Sequence, residues 1–132
     1  MIAGLIEPDK GKILFKKGIA TQVCLQHDYL FNEMTVCDHI HFSQKFIGAS
    51  QEQSFLIVEG LGLKHLMRKK VSELSGGDRR ILSIAIAILG NPQILVLDEP
   101  SASLDQSCRI RVWETIKILQ KSLTLIISTQ LV

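Results

Sequence analysis

Cysteine is scarce in this 132-residue chain: Cys24, Cys37 and Cys108 are the only three, an odd number scattered along its length. That excludes a disulfide framework and points to a reducing compartment. Proline is equally rare, at three residues, and with 46% hydrophobic and 21% charged residues the composition is that of a globular domain. Neither sign of charge dominates, since 15 Lys and Arg face 13 Asp and Glu for a net charge of +2. The balance gives no support to an electrostatic nucleic-acid binder or to a disordered acidic tail, and no nucleic-acid partner is expected. Long apolar runs are absent too. The longest, Ile81 to Gly90, is broken by Asn91-Pro92-Gln93, short of the roughly 18 residues of a membrane span. The stretch from Met1 to Pro8 has no basic region and meets Glu7 too early for a signal peptide. The expectation is one soluble, cytosolic domain that reaches a membrane only through a partner, and whose oily composition suits a part of something larger.

What is present divides into a weakly and a strongly patterned half. Residues 1–6 read as the end of a helix, and Ile13-Leu14-Phe15 and Thr21 to Leu25 as short strands. Thr35 is a fitting N-cap for a helix running to about Ile47, and Phe55 to Leu61 reads as another, closed by Gly60 and Gly62. From Ser75 the pattern sharpens. Ile81, Leu82, Ile84, Ala85, Ile88 and Leu89 recur at helical spacing until Gly90-Asn91-Pro92. Ile94-Leu95-Val96-Leu97 has the unbroken apolar character of a parallel strand buried on both faces. A helix over Arg109 to Lys121, with Trp113 on its core side, and a strand over Leu123 to Ile127 complete a βαβ unit. The fold class is α/β, and a compact core is expected over roughly residues 70–132 with a poorly anchored first half.

Two places concentrate chemistry. Asp98 and Glu99 stand at the carboxyl end of the buried strand, where open α/β sheets bind ligands. Side chains alternate along a strand, so the two acids serve different tasks: one a phosphate-bound Mg²⁺, the other an attacking water. A strand that simply ends in solvated acids accounts for the pair equally well. Leu74-Ser75-Gly76-Gly77-Asp78 reads in part as a helix cap, with Ser75 as N-cap and Asp78 three residues on. The cap leaves the two glycines unexplained, since they cost backbone entropy and signal a close approach. Bare N–H groups at such a helix start suit an anion.

Taken together, Leu74-Ser75-Gly76-Gly77-Asp78, a helix, Ile94 to Pro100, and then Ser101-Ala102-Ser103-Leu104-Asp105 resemble the nucleotide-binding domain of ATP-binding cassette (ABC) proteins. The order and spacing match that family's signature, its Walker B segment with the catalytic glutamate, and its D-loop. The first half fits as well. Met1 to Lys12 looks like the helix after the phosphate-binding loop and the start of the next strand. Val23 to Asp28, with Leu30-Phe31 and Met34-Thr35-Val36, looks like the Q-loop leading into the helical subdomain. The wording around Gln26, and Val112-Trp113, is most similar to the A subfamily, whose members mostly move lipids.

The resemblance implies a partial P-loop NTPase-like parallel sheet flanked by helices, with a helical signature subdomain. Residues 1–25 would belong to the core, 26–73 to the Q-loop and helical subdomain, and 74–132 to the signature, Walker B, D-loop and switch region. It implies ATP and Mg²⁺ as ligands, ATPase chemistry at family level, and coupling of hydrolysis to transmembrane transport, with a lipid as cargo. By the same likeness Asp98 serves the metal and Glu99 the water. Gln26 contacts either and relays to a transmembrane domain, while Ser75, Gly76 and Gly77 touch the γ-phosphate held by a second nucleotide-binding domain, in the same or a different chain. Asp105 makes the cross-dimer contact and Gln130 occupies the switch position. The parent transporter would hold the chain at the cytoplasmic face of a membrane.

Departures from the family pattern are plain. No Gly-x-x-x-x-Gly-Lys-Ser/Thr occurs, so the phosphate cradle and its lysine are missing. Asp78 stands where the signature usually has glutamine, and Gln130 where the switch histidine stands. The segment between Lys12 and Thr21 is short, and the chain reads as a cassette truncated at both ends. The expectations are that it has no ATPase activity alone and that a missing strand leaves a gap or bare edge beside Ile94–Leu97. Alternatives are a non-catalytic module that completes a partner's ATP site, an ABC-type ATPase of DNA repair or translation without a membrane partner, and an incomplete gene product. Cys37-Asp38-His39-Ile40-His41 is a poor metal site, because helix side chains two residues apart do not converge. Arg68-Lys69-Lys70 is a solvated turn, and Arg79-Arg80 begins the signature helix, where it can line the site.

Overall fold

A computed structural model describes residues 7–130. Strand β1 (Thr21–Cys24) is followed by helices α1 (Val36–Ile47) and α2 (Gln51–Gly60) and by two single 3₁₀ turns, Lys64–Leu66 and Val71–Glu73. Then come α3 (Gly76–Ile88), β2 (Ile94–Asp98), α4 (Gln106–Leu119) and β3 (Thr124–Ser128). The strands form one parallel sheet in the order β1-β2-β3, with Thr21 opposite Ile94 and Ile94 opposite Thr124. All three strands therefore end on one side, which sets the loops after Cys24, Asp98 and Ser128 next to each other.

Local chemistry explains most boundaries. Thr35 accepts from the Asp38 amide while the Asp38 side chain accepts from the Thr35 amide, a reciprocal cap that starts α1. Single oxygen caps start the other helices: Ser50 on α2, Ser75 on α3 and Asp105 on α4. Helix α3 buries Ile81, Leu82, Ile84, Ala85 and Ile88, and α4 buries Cys108, Val112, Ile116 and Leu119 at helical spacing. Leu95 and Leu97 of β2 are fully buried, whereas Ile94 and Val96 are half-buried, so one face of the strand is more enclosed than the run of four predicts.

Four expectations meet the structure here. The α/β architecture holds, with a parallel sheet packed by helices. Ile13-Leu14-Phe15 is not a strand: it pairs with no strand among the described residues and its side chains are exposed, because three residues between turns at Gly11 and Gly18 have no ladder to join. No gap lies beside β2, which pairs on both sides; among the described residues the bare edges belong to β1 and β3. Nor is the first half poorly anchored, since Cys24, Val36, Ile40, Leu63 and Leu66 share one buried cluster with Ile81, Leu95 and Val112. The helix expected over residues 1–6 lies outside the described residues.

Candidate functional site

The site is built at the carboxyl ends of the strands. The chain leaves β2 through Glu99, whose φ of +44° is a left-handed conformation that a long side chain rarely adopts. Such a residue costs roughly 1–3 kcal/mol and persists only when its surroundings hold it. Here the Glu99 amide donates to the Ser128 carbonyl at 3.0 Å, and the Ala102 amide donates to the Glu99 carbonyl at 3.1 Å. The turn directs both acids toward the end of β3. The Ser128 hydroxyl donates to Asp98 Oδ1, and the Gln130 amide donates to Glu99 Oε1. Each half-buried carboxylate thus has its own donor, which eases the repulsion of two adjacent acids.

Arg80 ties this turn to the neighbouring loop. Its side chain is only 3% exposed, and a buried guanidinium needs several partners. Nε donates to the Pro100 carbonyl at 3.1 Å and Nη2 to the Asp98 carbonyl at 2.9 Å. Nη1 donates to the Leu25 carbonyl, to Asp28 Oδ1 at 3.1 Å, and to the Gln26 carbonyl at 3.4 Å. Nearby, burial pushes the Cys24 thiol up to about 11, against a smaller lowering by Arg80, so this cysteine is an inert core group.

At the start of α3, Ser75 and Gly76 are exposed and Gly77 is buried. The close approach signalled by the second glycine is internal. A Cβ on Gly77 would come within 2.9 Å of Cys108 Cβ and 3.2 Å of its Cα, so Gly77 lets α3 touch α4. On Gly76 a Cβ would meet only the tip of Leu104, at 3.1 Å. The Ser75 hydroxyl accepts from the Asp78 amide at 3.1 Å and donates to Asp78 Oδ2 at 2.6 Å. Arg111 of α4 donates to Asp78 Oδ1 at 2.7 Å. Burial raises the Asp78 carboxyl, but the bonds from Ser75 and Arg111 outweigh it and leave it below the usual range.

Asp105 caps α4 by accepting from the Cys108 amide at 2.9 Å and from the Ser107 hydroxyl at 2.7 Å; these bonds hold its carboxyl far below the usual range. A cavity of about 360 Å³ is lined by Gln26, Asp28, Gly76, Arg79 and the 102–104 loop. In the sequence segment 37–41 the side chains diverge: Asp38 caps α1, His39 is buried and stacked on Phe31, and Cys37 lies near His41.

The residues singled out in sequence therefore gather on one side of the sheet. Gln130 meets Glu99 directly with Asp98 as its chain neighbour, and Gln26 and Gly76 share a cavity with the 102–104 loop. Ser75 opens the adjoining helix, whereas Gly77 faces away into the α3–α4 contact. The sequence assigns no site role to Ser128, Asp28 or Arg111, and Asp28 stands there only as the end of the Q-loop-like stretch. Arg80 had a legible signal: it occupies the buried stripe with Gly77, Ile84 and Ile88, where an apolar residue belongs.

Comparison with known proteins identifies the family and the fold. The profile of a family described as "ABC transporter" matches residues 1–102. The retinal-specific phospholipid-transporting ATPase ABCA4 of Mus musculus is 34% identical over 143 aligned residues, covering 98% of this chain but 6% of that protein. The molybdate/tungstate import ATP-binding protein WtpC of Pyrococcus abyssi is 35% identical, covering 93% of this chain and 40% of its own length. The chain thus spans a small part of the curated relatives it matches. Among solved structures, a putative metal-chelate type ABC transporter in an inward-facing conformation superposes with a TM-score of 0.82 at 22% identity, over 97% of this chain and 55% of that one. An ATP-binding cassette of an ABC transporter in its ADP conformation gives a TM-score of 0.70 at 27% identity, over 86% and 52%.

Proposed function

The chain belongs to the ABC transporter family, and from that premise we propose that it serves as ATP-handling cassette sequence that completes the nucleotide site of a second cassette. The observation that carries this reading is the open start of α3, where Ser75 is exposed and Gly76 lines a cavity with Gln26 and the 102–104 loop, while donors from the end of β3 hold the acid pair Asp98 and Glu99 at the strand tip.

The donor set fits Mg²⁺, which prefers hard oxygen ligands and takes one or two carboxylates together with phosphates. Asp98 would hold it, with Gln26 able to add an amide oxygen. No group of three or more His, Cys, Asp or Glu suited to a metal occurs among the described residues, so phosphate and water would supply the remaining ligands. When bound, the ion neutralises charge developing on phosphate oxygens. Glu99, fixed by its strained turn and the Gln130 amide, would orient the attacking water. Ser75 and Gly76 would face the γ-phosphate of the partner's ATP, while Gly77 contributes by seating α3 on α4. Asp105 would act in a cross-dimer contact through the 101–105 loop that its cap orders.

The 132 residues contain no Gly-Lys-Ser/Thr loop to grip β- and γ-phosphates. In this reading the chain lends its signature and the partner supplies a phosphate loop. A transmembrane partner is supported by aromatic side chains left in solvent after the Gln26 loop and on α1, with Tyr29 80% and Phe46 85% exposed. No helix among the described residues is long and apolar enough to cross a membrane. Likeness to phospholipid-transporting relatives supports a lipid as the cargo of the assembly.

The test is association with an intact A-subfamily cassette whose own catalytic glutamate is replaced by glutamine, followed by sedimentation with and without ATP. Association that requires ATP and is lost in Gly76→Asp supports the reading. Absent or nucleotide-independent association overturns it.

A further inference from the structure

We infer that Arg80 is a positioning residue that fixes the Gln26 loop and the Asp98–Glu99 turn relative to each other and to the helix that carries Ser75 and Gly76. The functional meaning of the inference rests on the ATP-handling reading above; its geometry does not.

Among the described residues every acceptor of the Arg80 side chain lies at the end of β2 and its following turn or in the segment after β1, and none in its own helix. The Asp98 carbonyl ends β2 and the Pro100 carbonyl belongs to the turn that follows, while Leu25 and Gln26 carbonyls and the Asp28 carboxylate come from the segment after β1. A guanidinium presents its donors in a rigid planar fork, so these partners are set at fixed angles around one rigid group. Arg80 is five residues beyond Ser75, about 7.5 Å along the helix axis at 1.5 Å per residue. A shift of α3 therefore moves both loops together, and a displacement of one loop is felt by the other. Charge neutralisation alone does not require this design, because the Asp28 carboxylate satisfies it with a single arm. The other donors are spent on backbone carbonyls, which locate main chain.

Lysine separates the two roles. An ammonium at this position keeps the charge and the pairing with Asp28, but its one nitrogen cannot reach both loops. The experiment uses the full chain without nucleotide and reads amide resonances by NMR. Asp28→Asn, which weakens one arm, is expected to move the Glu99 and Ala102 amides on the other loop when Arg80 is present. In the Arg80→Lys background the same substitution is expected to leave them in place, with Val112 in α4 as the control amide in both. Movement confined to residues 25–28 in the Arg80 chain, or equal movement of Glu99 and Ala102 with lysine, overturns the inference. If Arg80→Lys does not fold, Asp28→Asn and Asp28→Glu in the native background decide: both should shift the Arg80 Nε–H and Glu99 resonances, and no shift in either overturns it. Because no nucleotide is present, failure of the ATP-dependent association would count against the proposed function while these spectra still decide for or against Arg80.

Discussion

Asp78 and Arg111 bind two helices together across the start of α3, with the guanidinium of α4 donating to Asp78 Oδ1 at 2.7 Å. The other carboxylate oxygen accepts a hydrogen bond from the Ser75 hydroxyl at 2.6 Å. The acid that replaces the usual glutamine is thus neutralised from one side and engages the signature serine from the other.

It follows that Ser75 does not offer its hydroxyl to a phosphate while Asp78 holds it. Asp78→Gln should release the serine and remove a charge that opposes phosphate, tightening ATP-dependent association with an intact cassette. A gain of about tenfold is expected, the equivalent of one charge-assisted hydrogen bond of about 1.5 kcal/mol. Arg111→Ala should act in the opposite direction by uncovering the acid. Titration of each variant against the ATP-loaded partner measures both, and weaker binding by Asp78→Gln would show that the acid itself belongs to the contact.

The two glycines of the signature should respond differently to alanine. Gly77→Ala drives a methyl into Cβ and Cα of Cys108, and overpacking of this kind costs about 1–3 kcal/mol. Gly76→Ala meets only the flexible tip of Leu104 and gains helix propensity, so its stability should stay within about 1 kcal/mol of the native chain. Denaturant midpoints read the difference. Cys108→Ala should not rescue Gly77→Ala, because the Cβ and the backbone remain.

Acid should destabilise the chain through particular carboxyls. Asp105 and Asp78 are held below their ordinary value of 3.8 by donors that exist only in the fold. Their contribution is complete above that value and is lost as pH falls below it toward their lowered folded values. Asp105→Asn keeps a capping oxygen and removes the titration, so its melting temperature should fall less steeply than that of the native chain between about pH 4 and about pH 2. Parallel thermal melts check this, and identical acid limbs would remove Asp105 from the account.

The purified 132-residue chain with Mg²⁺ and ATP should show no turnover, and Glu99→Gln should leave that baseline unchanged. A phosphate-release assay tests both statements. Orthovanadate-sensitive turnover abolished by Glu99→Gln would show that the chain grips the β- and γ-phosphates without the loop its sequence lacks.

How much of this was legible beforehand depends on whether the deciding interaction is local. The apolar spacing of α3 and α4, the run Ile94–Leu97 and the caps Thr35 and Ser75 are local patterns, and each appears where the sequence predicts it. Ile13-Leu14-Phe15 has the side chains of a strand but no neighbour to pair with, and pairing is a long-range property. The start of α2 was placed late because Ser50 and Gln51–Ser54 carry no apolar signal, although Ser50 caps the helix. In the site, the acids, Gln26 and the glycine-opened helix stand out as residue types. The partners that orient them are distant in sequence: Ser128 lies 30 residues from Asp98, Arg111 33 from Asp78, and Asp28 52 from Arg80. Gly77 shows that a recognised motif residue can face inward as a spacer between helices.

The sheet stops at β3, whose Leu125, Ile126 and Ile127 are half-buried and whose outer flank hydrogen-bonds to no described strand. A flank of that kind is a template, and it recruits whichever extended segment arrives first. For molecules crowded in a test tube that segment is another copy of themselves, so losses during purification will track concentration before they track temperature. A strand supplied in excess as a free peptide would act as a chaperone for the edge.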